Sequence, residues 1–164
     1  MQKLFFTLFL LAVSVGSAAA HGDISKLPDS VQIMQYKMLL YMDAEDTETK
    51  NNLAMAYFRT KQLDLAVQEL EGVLKKDAKN FDALDGMGLV LLKQKKADEA
   101  LKYLEQALAI NDKDALLHVH FSVAYEQLKQ AEQAAAALKK AGELAPGPEG
   151  AAAVQNEIKL ITQP

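Results

Sequence analysis

Apolar and polar positions between Thr47 and Pro146 recur three times with a period of 34 residues. Ala66, Ala100 and Ala134 share one column, Leu70, Leu104 and Leu138 another, Tyr57, Leu91 and Tyr125 a third, and Lys61, Lys95 and Lys129 a fourth. Within each period two helical stripes are separated by short polar breaks. The pattern predicts helix pairs at about 47–60 with 63–76, 81–94 with 97–110, and 115–128 with 131–144. Units of this length cannot bury an apolar face alone and must stack on their neighbours, which predicts an all-α solenoid. Small residues stand where the helices of each pair cross: Ala54, Gly88 and Ser122 face Ala66, Ala100 and Ala134, with Leu70, Leu104 and Leu138 filling the next layer.

The residues in these columns resemble the tetratricopeptide repeat (TPR) family. The first repeat carries Leu53-Ala54, Tyr57, Ala66, Leu70 and Val73; the second Met87-Gly88, Leu91, Ala100, Leu104 and Ala107; the third Phe121-Ser122, Tyr125, Ala134, Leu138, Ala141 and Pro146. The family's early tryptophan is missing from all three, and Ala78 and Asp112 replace its closing proline in the first two. The resemblance covers Thr47 to Pro146 and implies a right-handed superhelix of helix-turn-helix units at 47–80, 81–114 and 115–148.

The flanks depart from the period. Residues 1–20 read as a secretory signal, with Lys3, an apolar run from Leu4 to Val15, a break at Gly16 and a small-residue cleavage site at Ala18-Ala19-Ala20. That run falls well short of the ~20 residues needed to span a bilayer, so export with cleavage is expected, and a periplasmic or secreted protein with no membrane span. A flexible lead at 21–28 follows. Residues 29–46 are expected to form an N-terminal half repeat, with Tyr36 where Leu70 lies one period on and Leu39 where Val73 lies. Met34, Met38 and Met42 add an apolar stripe at a spacing of four, and such a stripe invites a cover. At the other end, Pro146-Gly147-Pro148-Glu149-Gly150 is expected to stop the array. A capping helix in 149–164, from about Ala151 to Thr162, then sets Ala151, Val154, Ile158 and Ile161 over the open end of the solenoid, with Leu160 pointing away.

Composition narrows the function. With 164 residues, half of them apolar, the chain suits one domain with a real core. No cysteine is present, so no disulfide, thiolate metal site or haem attachment motif is available. The net charge of −4 argues against a nucleic-acid surface. A calcium loop from Asp43 fails because Glu48 stands at its sixth position and Ala54 at its twelfth. His118 and His120 lie too far around one helix to chelate one ion, with His120 toward the concave side and His118 toward the repeat interior. His21 lacks a fixed second histidine. Neither metal nor cofactor is therefore expected, and without a nucleophile elbow, phosphate loop or metalloprotease motif, neither is an enzyme.

What remains is a surface. With the first helix of each pair called A and the second B, the family resemblance makes the inward positions of helix A Glu48, Asn51, Met55, Phe58 and Arg59; Asp82, Asp85, Leu89, Leu92 and Lys93; Leu116, Val119, Val123, Glu126 and Gln127. Met55, Phe58, Leu89, Leu92, Val119 and Val123 make an apolar band, flanked by Glu48, Asp82 and Asp85 on one side and Arg59 and Lys93 on another. The columns that grip a chaperone tail's carboxylate in some family members hold Asn51, Met55, Gly86, Leu116 and His120 here, so that clamp is essentially missing. The expectation is an exported adaptor that takes a peptide or helix segment of another envelope or secreted protein in an open apolar groove. The chain's own N-terminal segment is the competing occupant. Two further readings are a self-associating scaffold using Met34 and Met38, and, by analogy with exported family members, an accessory factor in cytochrome or secretion-system assembly.

Overall fold

The computed structural model describes residues 23–163. The signal reading of 1–20 and the reading of His21 fall outside them. A 3-10 turn, Ile24–Lys26, leads into eight helices among the described residues: α1 Asp29–Met42, α2 Thr47–Arg59, α3 Leu63–Lys76, α4 Phe81–Lys93, α5 Ala97–Leu108, α6 Ala115–Gln127, α7 Ala131–Leu144 and α8 Gly147–Thr162. Each helix from α1 to α7 packs on the next, and α4 also touches both α2 and α6, so the helices A form one continuous wall.

The period is written into the turns as well as the core. Asp46, Asn80 and Asp114, 34 residues apart, each cap a helix A, their side-chain oxygens accepting from backbone N–H groups of the first turn. Three residues earlier, Asp43, Asp77 and Asn111 accept from the backbone N–H two residues on, at 3.0, 3.0 and 3.1 Å. These side-chain turns close each repeat where the family's proline is missing. Between helices A and B, Lys61, Lys95 and Lys129 adopt left-handed backbone with φ of 61°, 63° and 62°.

At the crossings, Ala54, Ala66, Ala100, Leu70 and Leu104 have no exposed surface. A Cβ on Gly88 would overlap Leu104 Cδ2, so the second pair is held together by the absence of that atom. In α1, Tyr36 is buried and Leu39 packs on the core, as their columns require.

The C-terminal end departs from expectation. The last helix begins at Gly147, not near Ala151, with Pro148 inside its first turn. Proline is tolerated there because first-turn N–H groups have no intrahelical acceptor to lose. Rather than closing only the end of the stack, α8 lies against α4 and α6 as well as α7. Val154 and Ile161 are buried, Ala151 is exposed, and Leu160, expected to point away, packs on the main core.

Candidate functional site

The wall of α2, α4 and α6 is divided between two uses. Over α4 and α6, α8 occupies it. Phe58, Leu89, Leu92 and Val123 belong to the same buried cluster as Ile161, while Val119 is packed with Ala141 and Val154. None of these five side chains is more than 2% exposed. The open apolar groove expected from the sequence is therefore corrected: Phe58, Leu89, Leu92, Val119 and Val123 are sealed inside the chain's own core. Over α4 and α6 the occupant is α8, at the opposite terminus from the N-terminal segment weighed as the competing occupant. The physical reason is connection. An amphipathic helix tethered through Ala145 and Pro146 docks without losing the translational freedom that a separate partner must give up.

Polar anchors hold α8 in place. Lys93 Nζ donates to the carbonyls of Leu160 and Gln163 at 2.8 and 2.6 Å, capping the last turn of the helix with a cation. Burial, then the neighbouring Lys61 and Lys95, lowers the Lys93 pKa. His120, on the concave side of α6, lies between Asp85 Oδ1 at 2.6 Å from Nδ1 and Glu157 Oε1 at 3.1 Å from Nε2. Burial alone would drive the imidazole toward its neutral form, but the two carboxylates outweigh it and raise its pKa to about 10. At neutral pH His120 is an imidazolium joining α4, α6 and α8. His118 Nε2 lies 2.9 Å from the Asp112 carbonyl, beside Phe121, which is a structural role.

At the other end, Arg59 belongs to α1: Nε donates to Asp29 Oδ1 at 2.7 Å and Nη2 to Gln32 Oε1 at 2.8 Å. Both cations expected along the groove are thus spent on the flanking helices. Gln127 donates to the Leu92 carbonyl at 3.0 Å, and Leu116 and Glu126 stay on the surface away from the open pocket.

Open concave surface survives between the N-terminal halves of α2 and α4. A pocket of about 570 Å³ is lined there by Glu48, Asn51, Met55, Asp82, Asp85 and Leu89 from the expected inward set. Thr47, Asn52, Asn80 and Gly86 complete it. Asn80 carries two duties, capping α4 and accepting from Asn51 Nδ2 at 3.0 Å. Its place in the wall follows from sitting one residue before a helix whose first turn faces the pocket. Among the described residues no group of three or more His, Cys, Asp or Glu could hold a metal ion, and no helix is long and apolar enough to cross a membrane.

A wall of stacked helix hairpins with a polar concave mouth defines a helical-repeat α-solenoid. Two tetratricopeptide repeat family models match, one over residues 51–115 and one over 91–157, together spanning more than half of the chain. The chain belongs to the tetratricopeptide repeat family. Solved structures share the fold. A thermophilic TPR protein of Thermus thermophilus, TTC0263, is similar with a TM-score of 0.69 and 19% identity over 79% of this chain and 72% of that one. A crystal structure of MamA gives 0.63 and 20% over 81% and 84%, and a MamA structure from MSR-1 gives 0.60 and 23% over 74% and 70%. No curated protein matches the chain in sequence.

Proposed function

We propose that this protein is an exported interaction scaffold that receives a segment of a partner protein at the open mouth between α2 and α4. One observation carries the reading: α8 fills the apolar part of the concave wall, and the pocket of about 570 Å³ beside it stays accessible. Family membership supports a protein-binding role, and the signal-like residues 1–20 support a place in the periplasm or outside the cell. A photo-crosslinking residue at Asn52, exposed in that mouth, is expected to form adducts with a discrete partner in the native envelope. The same residue at Lys102, exposed on α5, is expected to form none. Equal labelling from both positions, or adducts from Lys102 alone, would remove the concave mouth as the site.

A second reading rests on α1, where Met34, Met38, Tyr41 and Met42 are 61%, 59%, 90% and 81% exposed. Four large apolar side chains uncovered on one helix favour self-association through that face. Sedimentation should find a dimer that Met34→Lys with Met38→Lys converts to monomer. A parent protein that is monomeric at tens of micromolar excludes it.

A further inference from the structure

We infer that the partner segment seated between α2 and α4 is basic, presenting lysine or arginine side chains to the pocket; this deepens the scaffold reading and rests on it. Glu48, Asp82 and Asp85 converge on the pocket, and its ten lining residues include no lysine or arginine. Asp85 is already bonded to His120. Glu48 and Asp82 form no ion pair among the described residues. The two long-chain cations nearest in the expected groove, Arg59 and Lys93, point their charge at α1 and α8 instead. The mouth therefore keeps uncompensated negative charge.

Asn51 supplies an independent sign of a ligand. Its side chain lines the pocket, the residue is 8% exposed, and its Nδ2 is committed to Asn80, yet its Oδ1 accepts from no donor of the protein. A buried amide oxygen is costly to leave without a donor. An ammonium or guanidinium group brings donors and no acceptor, which matches an acceptor set of Asn51 Oδ1 and two open carboxylates. Met55, half-buried at the pocket wall, gives the aliphatic stem of such a side chain an apolar ledge while its head stays among the oxygens. A bare divalent ion fits less well, because the carboxylates do not form a group able to hold a metal. The volume admits more than one side chain, so a short basic stretch is the occupant rather than a single residue.

Calorimetric titration of the whole protein at low salt tests this with two acetylated, amidated hexapeptides, Arg-Ala repeated three times and Gln-Ala repeated three times. The arginine peptide is expected to bind about tenfold or more tightly than the glutamine peptide, and to weaken as salt rises. Glu48→Gln with Asp82→Asn should reduce that affinity about tenfold while the melting temperature stays put. Asn51→Ala should weaken binding further; where that variant melts early, the carboxylate pair alone decides. Equal binding of the two peptides, no binding at millimolar concentration, indifference to the paired substitution, or equal affinity for spermidine would each overturn the assignment. Should the peptides fail while adducts still form at Asn52, the partner is not basic and the scaffold reading stands; loss of both removes both.

Discussion

Lys61, Lys95 and Lys129 hold left-handed backbone that a residue with a Cβ adopts at a cost of roughly 1 kcal/mol. Lys95→Gly and Lys129→Gly should each stabilise the fold by about 0.5–1 kcal/mol in chemical denaturation, strain relief exceeding the added freedom of the unfolded chain. A loss of stability would show that the lysine side chains contribute more than their backbone costs. The column itself is plain in the sequence, but its conformation is not, because lysine carries no local signature of a left-handed turn. His120 poses a similar problem: its helix position is readable, while its two carboxylate partners come from α4 and α8, 35 and 37 residues away. Its raised pKa predicts a definite pH dependence. The folded imidazole titrates near 10 against an ordinary value of about 6.5, so its contribution is complete below about 6.5. It shrinks as pH climbs and is gone above about 10. Thermal melts of the parent and His120→Gln should therefore differ most near pH 6.5 and converge by about pH 10; a gap constant across that range would contradict the bridge.

Element α8 marks the limit of what periodicity reveals. Its apolar stripe of Val154, Ile158 and Ile161 is visible in the sequence, and so is its need for a cover. Its docking surface is not, because a repeat pattern reports how repeats meet each other and says nothing of where a non-repeating helix lies. The cluster of prolines and glycines reads as a break, whereas the first turn of a helix accommodates proline. Gly150 is the local requirement: a Cβ there would overlap the Ala145 carbonyl oxygen, where the chain turns from α7 into α8. Gly150→Ala should cost about 1–3 kcal/mol and loosen α8 before the rest of the array. Hydrogen exchange should then show faster amides across 147–162 with those of α2 and α4 unchanged. Uniform protection throughout would mean that the turn tolerates the methyl group.

At the scale of the molecule, the 34-residue period makes the hairpin stack legible almost in full, down to the small residues at its crossings. The free surface is less so, since the inward columns describe an array without ends. Here the ends decide: α1 takes Arg59, α8 takes Lys93, His120 and the apolar face of α4 and α6, and an acidic mouth is left between α2 and α4. The chain contains no cysteine, so single cysteines report this division without background. Maleimide labelling of the folded protein should modify Asn52→Cys rapidly and leave Val119→Cys, beneath α8, protected until the protein unfolds. Comparable labelling rates at the two positions would mean that the groove stands open along its length and that α8 is not its occupant.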